Sequence, residues 1–171
     1  GWTGIAITEQ YGGSDLGIGS TIPLVESMGR HLLSTPYIST IIASQALERG
    51  GSDVQKANWL PRVVEGSIGT LALLDNEDWG ATTTSCTLSS EFELQGTKLL
   101  VNDAAVAEFF IVLANYNGAE VLVLVEAGAL PSNSLSEKAL IDETKRASNV
   151  SFNGVTVSAA AILPNSVNAL R

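Results

Sequence analysis

Residues 59–76 read WLPRVVEGSIGTLALLDN, and the spacing of the apolar side chains changes within them. Before Gly66, Leu60 and Val64 recur four positions apart, which is the spacing of one face of a helix. After Gly66, residues 70–74 form a short apolar run that is typical of a strand. Predicted helices precede this point and predicted strands follow it, so the sequence indicates an α+β fold.

The residues before position 50 predict two short helices. Between residues 16 and 33, apolar side chains recur at steps of three and four and would form one apolar helix face. A second helix is predicted to begin at Thr35-Pro36, a capping side chain followed by the proline that the first turn tolerates. Gly50-Gly51 would end it.

A third helix is predicted to begin at Ser52. Gln55 follows three residues later, and this pair resembles a capping box, in which each residue satisfies a backbone N–H of the other. We expect this helix to be bent or broken at Pro61, because proline lacks the N–H of a helical hydrogen bond. Gly66 would end the helix.

The remaining residues predict a β-structure. Segments rich in Val, Ile, Leu and Phe are predicted as strands at 70–74, 91–94, 98–101, 109–114, 121–125 and 149–152. Asn117-Gly118 and Asn153-Gly154 are typical of type I′ hairpin turns, in which both central residues have positive φ. Many short strands with frequent turns favour an antiparallel sandwich or barrel. We therefore predict a partial helical domain over 1–68 and a β-domain over 69–171.

The composition excludes several functions. The chain carries 9 basic and 18 acidic residues, a net charge of −9, and its basic residues are scattered, which argues against a nucleic-acid partner. The strongest apolar run, residues 121–125, is far shorter than the ~20 residues that a membrane-spanning helix needs. The chain opens on Gly1 rather than Met, so we expect it to be a piece of a longer protein.

One cysteine and one histidine, Cys86 and His31, offer no transition-metal site. His31 could act as a general base, but the segment Gly29-Arg30-His31 is more typical of a helix end. Cys86 could act as a nucleophile, but no second histidine is available to activate it, and a buried, unreactive thiol is the better interpretation. The thiol count is compatible with a reducing compartment.

Other chemistry-bearing residues also have plain structural interpretations. Asp75, Glu77 and Asp78 could hold Mg²⁺ or Ca²⁺, but a solvated acidic loop is favoured. The glycine-rich segment 12–19 has neither the preceding strand nor the Gly-Lys-Ser/Thr of a phosphate-binding loop, and is interpreted as a turn into a helix. The tryptophans are interpreted as core or interface anchors and stand at Trp2, Trp59 and Trp79.

Short motifs along the whole chain follow the order of a known family. In the first half they are Gly1-Trp2-Thr3-Gly4, Glu9-Gln10-Tyr11-Gly12-Gly13, Val25-Glu26, Gly29-Arg30, residues 47–51, Gln55-Lys56, Trp59-Leu60-Pro61 and Glu65-Gly66. In the second half they are Leu71-Ala72-Leu73, Gln95-Gly96-Thr97-Lys98, Asn102-Asp103-Ala104, Ala107, Lys145-Arg146, Val150, Phe152, Val155 and Val157. In this order they resemble the acyl-CoA dehydrogenases, although Thr8 stands where that family has proline.

The resemblance implies the end of an N-terminal helical domain packed on a middle β-domain. It also implies desaturation of an acyl-CoA thioester between its α and β carbons, with the β hydrogen leaving as hydride to FAD and electrons passing to an electron-transfer flavoprotein. In the family the base is a Glu on a C-terminal helical domain, and no residue here matches that segment. We therefore assign no catalytic residue, expect the chain alone to be inactive, and expect a cytoplasmic homo- or hetero-oligomer.

The flavin contacts implied by the resemblance fall on Leu71, Leu73, Leu74, Leu100 and Asn102. At the strand end the family usually has an aromatic residue and, three positions on, a threonine, whereas this chain has leucine at both positions. Leu100 likewise replaces an aromatic residue that would stack on the ring. Asn102 could still donate a hydrogen bond where the family has threonine.

These departures leave two hypotheses. The chain is part of a flavin-dependent acyl-CoA dehydrogenase that tolerates the substitutions, or it belongs to a non-catalytic subunit of a heteromeric acyl-CoA dehydrogenase whose flavin site has degenerated. The intact motif order favours the first only as ancestry, and the apolar residues at the flavin positions favour the second.

Overall fold

The computed structural model describes residues 1–76 and 84–169. Its helices are α1 (Ile22–Arg30), α2 (Tyr37–Gly50), α3 (Asp53–Glu65) and the single turn α4 (Ser166–Ala169). Its strands are β1 (Gly69–Ala72), β2 (Thr87–Leu88), β3 (Glu93–Gln95), β4 (Thr97–Asn102), β5 (Phe109–Tyr116), β6 (Ala119–Glu126), β7 (Leu135–Lys138), β8 (Ala147–Ser151) and β9 (Val155–Thr156). Short 3-10 turns lie at Trp2–Gly4, Glu9–Tyr11, Ile18–Thr21, Ala127–Ala129 and Ala159–Ala161. The long helices precede the strands, which confirms the α+β prediction.

The start of α3 is the predicted capping box. Ser52 Oγ accepts the N–H of Gln55 at 3.3 Å, and Gln55 Oε1 accepts the N–H of Ser52 at 2.8 Å. The predicted break at Pro61 does not occur, because α3 continues to Glu65. Proline removes one hydrogen bond from the helix, and the burial of neighbouring side chains on the core offsets that loss.

The first helix begins later than predicted. Asp15 and Gly17 have φ values of 51° and 72°, which are incompatible with a helix, so α1 begins only at Ile22. The expected apolar face is mostly exposed: Leu16 is 65% and Leu32 77% exposed. Among the described residues of this face, Met28 is the one that is buried.

The described strands form a six-stranded and a three-stranded sheet. In the larger sheet the order is β1–β5–β2–β3–β9, with β6 pairing with the other edge of β5; the smaller sheet has the order β4–β8–β7. Most pairs are antiparallel, but β5 pairs in parallel with both β1 and β2, which the short, turn-rich pattern did not predict. The strand β5 therefore lies between β1 and β2, which precede it in the chain, and β6, which follows it.

One of the two predicted hairpins forms. Asn117 and Gly118 have φ values of 53° and 83° and join β5 to β6, as expected for a type I′ turn. The prediction at Asn153-Gly154 is wrong, since only Gly154 has positive φ and the turn joins β8 to β9, which belong to different sheets. Phe152, just before this turn, is fully buried in the core cluster.

Apolar side chains on both faces of β5 build the core. Phe110 and Val112 face the cluster enclosed by the strands, where Phe110 meets Phe152 edge to face at 5.8 Å. Phe109 and Ile111 face the helices, and the Phe109 ring lies 4.7 Å from that of Trp59. The helices thus pack on the outer face of the larger sheet, with α2 against β1. Among the described residues, no helix is long and apolar enough to cross a membrane.

Candidate functional site

The carboxyl end of β1 lies beside β4, although the two strands belong to different sheets. Thr70 Oγ1 donates to the carbonyl of Asn102 at 2.7 Å, and the N–H of Leu99 donates to the carbonyl of Leu74, also at 2.7 Å. These bonds bring together the two segments that carry the sequence-predicted site residues, 71–74 and 100–102.

The edge of β1 that faces β4 carries unpaired backbone groups. Among the described residues β1 pairs only with β5, on its other edge. The carbonyl of Ile68 accepts N–H groups from the start of β5, so alternate residues of β1 face β5 and the residues between them face away. The backbone N–H and C=O groups of Leu71 and the N–H of Leu73 therefore line the open edge.

The side chains at this edge are apolar. Leu71 and Leu73 are half-buried and pack against the helical cluster, so their side chains are held in the core while their backbone faces the edge. Leu74 and Leu100 are also half-buried, and Asn102 is exposed. Of the five predicted residues, Asn102 alone carries a polar side chain.

A β-bulge shapes the part of β4 that faces β1. Lys98 pairs with Val150 and Val101 with Ser148, so Leu99 and Leu100 together lie opposite the single residue Asn149. Leu100 has a φ of 51°, an uncommon conformation for a bulky residue, and its N–H is accepted by Asn149 Oδ1 at 3.2 Å.

A buried ion pair lies directly behind this edge. Lys98 is fully buried, and its Nζ lies 2.6 Å from Asp75 Oδ1, 2.9 Å from Thr84 Oγ1 and 3.0 Å from the carbonyl of Leu73. Asp75 Oδ2 accepts further hydrogen bonds from the Thr84 hydroxyl and from the N–H of Ser85. Burial raises the pKa of the Asp75 carboxyl, but the hydrogen bonds from Lys98, Thr84 and Ser85 outweigh it, so the pKa lies below its ordinary value.

Asp75 is therefore not part of a solvated acidic loop, because its side chain is 5% exposed and paired with Lys98. Glu77 and Asp78, the other members of the candidate cation site, lie outside the described residues, as does Trp79. Within 1–76 and 84–169 there is no group of three or more His, Cys, Asp or Glu that could hold a metal ion.

The other candidates have structural roles. His31 is the C-cap of α1, where its Nδ1 lies 2.8 Å from the carbonyl of Ser27. Cys86 is fully buried, as expected, and burial raises the pKa of its thiol to about 11, which keeps it protonated. Trp59 is a core residue, whereas Trp2 is 59% exposed. The glycine-rich segment leads into α1, as predicted.

A groove of about 290 Å³ lies between α1, the start of α2 and the segment before β8. Its apolar wall includes Val25, Leu32, Leu33 and Ile38, and Asp142 and Lys145 lie at its polar side. The helix α2 carries Ile38, which lines the groove, and it also packs on β1.

The chain resembles known proteins in both sequence and structure. Residues 1–67 match the family model for the N-terminal domain of acyl-CoA dehydrogenases. The chain is 32% identical to acryloyl-CoA reductase (NADH) of Anaerotignum propionicum, over 67% of this chain and 31% of that protein. It is 28% identical to acyl-CoA dehydrogenase FadE27 of Mycobacterium tuberculosis, over 72% of this chain and 33% of that protein.

The solved ChsE4-ChsE5 complex of Mycobacterium tuberculosis superimposes on 98% of this chain with a TM-score of 0.80 and 26% identity. The chain belongs to the acyl-CoA dehydrogenase family. It spans about a third of the length of the two sequence relatives and 46% of the matched chain of the complex.

Membership of the acyl-CoA dehydrogenase family implies FAD as cofactor. The open edge of β1 fits an isoalloxazine ring, because the polar rim of that ring carries carbonyl and N–H groups that pair with backbone donors and acceptors. Among the described residues, the sequence-predicted side chains at the edge contribute apolar contact and one amide. The residues present therefore fit a flavin through the backbone.

Sequence reasoning missed Asn149 and the Lys98–Asp75 pair as parts of this site. In the sequence, Lys98 ends the segment Gln95-Gly96-Thr97-Lys98 and begins the predicted strand 98–101, and Asn149 begins the predicted strand 149–152. A lysine at a buried strand position indicates a buried partner, but the spacing of the residues does not identify Asp75 as that partner.

Proposed function

We propose that this chain forms the flavin-facing part of an acyl-CoA dehydrogenase that desaturates an acyl-CoA thioester. The observation that carries the proposal is the open edge of β1, where the N–H and C=O groups of Leu71 and the N–H of Leu73 face away from β5. When bound, FAD would accept the β hydrogen of the substrate as hydride. Electrons would then pass to an electron-transfer flavoprotein.

The residues of this chain would bind and orient the cofactor. The N–H and C=O of Leu71 and the N–H of Leu73 would hydrogen-bond the polar rim of the ring, and the Asn102 amide would supply one further donor. Leu74 and Leu100 would exclude water from the rim. Because Leu71 and Leu73 are anchored in the helical cluster, the edge is held in place before the ligand arrives.

The acyl chain would lie in the groove beside α1. Val25, Leu32, Leu33 and Ile38 offer it an apolar wall, and Lys145 could meet a phosphate of coenzyme A at the polar side. We assign no catalytic base to these 171 residues, and we expect no turnover from the chain by itself. A partner chain or further sequence would supply the base.

A second candidate function is that of a non-catalytic subunit in a heteromer. Leucines stand at the rim positions where the family usually has an aromatic residue and threonine, and the similar ChsE4-ChsE5 structure is a complex of two proteins. In this role the chain would complete the assembly and shape the acyl groove of an active partner.

A flavin titration separates the two functions. The protein that carries this chain is titrated with FAD, alone and then with a co-encoded homologue, while the visible spectrum of the flavin is followed. A bound, spectrally shifted flavin on the protein alone supports the flavin-binding function. Flavin binding and activity that arise only with the homologue support the non-catalytic subunit.

A further inference from the structure

Lys98 has surroundings that a surface lysine does not have. Its side chain is fully buried, and its ammonium group contacts a carboxylate, a hydroxyl and a carbonyl at 2.6, 2.9 and 3.0 Å. An ammonium group has three N–H donors; here the hydroxyl and the carbonyl accept hydrogen bonds, and the carboxylate forms a close ion pair with the charge. Such partners are required, because a buried charge without partners is strongly unfavourable.

One of the three acceptors belongs to the candidate flavin edge. The carbonyl of Leu73 is held by Lys98 Nζ, and the next carbonyl, that of Leu74, is held by the N–H of Leu99. Adjacent residues of β4 therefore fix the carbonyls of Leu73 and Leu74, the two residues that follow β1. Rotation of the peptide unit that follows Leu73 would break the first of these bonds.

We propose that Lys98 is a positioning residue, which holds the segment after β1 so that the backbone N–H of Leu73 stays aimed at the flavin. The proposal rests on the proposed flavin-binding function. Asp75 neutralises the charge of Lys98 and accepts hydrogen bonds from Thr84 and Ser85. The network therefore fixes the position of the backbone at the edge and adds no net charge there.

Stability alone is a weak explanation for the pair. Replacing both members of a buried ion pair by uncharged residues of similar volume is often neutral or stabilising, whereas removing one member leaves an unpaired buried charge. The two roles therefore separate in a variant that removes both charges. A structural role predicts that such a variant loses nothing, and a positioning role predicts that it folds but loses the geometry of the edge.

The test compares the wild-type chain with the double variant Lys98→Met/Asp75→Asn. Lys138→Met is the matched control, because Lys138 is an exposed lysine in a strand of the smaller sheet. The measurements are the thermal midpoint, the exchange rate of the Leu99 amide by NMR, and the dissociation constant for FAD. We expect an almost unchanged midpoint, Leu99 exchange faster by about tenfold or more, and FAD binding weaker by about tenfold or more.

The proposal is overturned if the double variant keeps both the Leu99 protection and the FAD affinity of the control. If the double variant does not fold, Thr84→Val replaces it, since this change removes one partner of each charge and leaves both charges in place. Thr84→Val is expected to weaken Leu99 protection and FAD affinity in the same direction, and unchanged values for both overturn the proposal.

Failure of the proposed function gives a different result. A wild-type chain that binds no FAD, alone or with its homologue, contradicts the flavin-binding function whatever the variants do. The exchange rate of the Leu99 amide is measured without flavin, and it still decides whether Lys98 holds the segment after β1.

Discussion

Replacing Leu74 by threonine should tighten flavin binding. Leu74 stands at the end of β1 where the family usually has threonine, its side chain is half-buried, and its carbonyl is already held by the N–H of Leu99. The substitution therefore adds a hydroxyl to an edge whose backbone is fixed. Threonine is also β-branched and suits an extended backbone.

The expected gain is that of one neutral hydrogen bond. Such a bond contributes about 0.5–1.5 kcal/mol, which corresponds to an affinity about 2- to 13-fold higher. Threonine is also smaller than leucine, and the lost apolar contact would oppose this gain. Leu74→Val is the matched control, because valine has the size and branching of threonine without the hydroxyl. The difference between the two variants isolates the hydrogen bond.

The assay is FAD titration of the wild-type, Leu74→Thr and Leu74→Val proteins, followed by the visible spectrum of the flavin. We expect threonine to bind about 2- to 13-fold more tightly than valine, and valine to bind no more tightly than leucine. Equal affinities for threonine and valine would refute the placement of Leu74 beside the ring, because the added hydroxyl would then have no partner. A thermal melt of each variant verifies that all three are folded.

Three further predictions concern stability. Because the pKa of Asp75 is lowered on folding, its contribution to stability is present above the ordinary carboxyl range and is lost as the pH falls through the folded-state pKa. Chemical unfolding at pH 7 and pH 3 should therefore show a smaller pH dependence for Lys98→Met/Asp75→Asn, which leaves no unpaired buried charge, than for wild type. Gln55→Ala removes the Gln55 side chain of the capping box and its 2.8 Å hydrogen bond to the carbonyl of Ala160, in the segment before α4. The free energy of unfolding in urea should fall by about 1–3 kcal/mol. Equal midpoints and slopes for the variant and wild type would contradict this. Gly69→Ala places a Cβ 2.2 Å from Phe109 Cζ and should lower the thermal midpoint. Gly19→Ala is the control and should leave the midpoint unchanged, because no atom lies within 4 Å of the added Cβ. Equal midpoints for the two variants would show that the core rearranges at Gly69 to accept the methyl group.

The parts of the fold that could be predicted depend on signals within a few residues. The capping box of Ser52 and Gln55 and the turn at Asn117-Gly118 form as expected, because each is specified by side chains and φ preferences at adjacent positions. The order of helices before strands likewise follows from local periodicity. The later start of α1 follows the positive φ at Asp15. Non-glycine residues seldom adopt this conformation, so the sequence does not predict it.

The parts that could not be predicted depend on partners far away in the sequence. Lys98 meets the carbonyl of Leu73 across 25 positions, and Leu100 meets Asn149 across 49. The parallel pairing of β1 with β5 and the change of sheet after Phe152 also require the whole set of strands to be assembled. Periodicity and turn residues contain no information about such pairings, so the shape of the site could be obtained only from the structure.

The two proposed functions differ in what the leucines at the rim signify. On the sequence alone, leucine at positions 71 and 73 indicates a degenerate apolar flavin face. In the structure those side chains pack against the helical cluster, and the groups that face the open edge belong to the backbone, which a substitution leaves in place. Degeneration at these positions therefore costs the site less than the sequence implies. Among the described site residues, the losses that would bear on flavin affinity are the missing hydroxyl at Leu74 and the missing ring at Leu100, together about 1–3 kcal/mol, or about 5- to 160-fold in affinity. A loss of that size lowers the affinity of a flavin site by at most about two orders of magnitude, and this favours the flavin-binding function over the non-catalytic subunit.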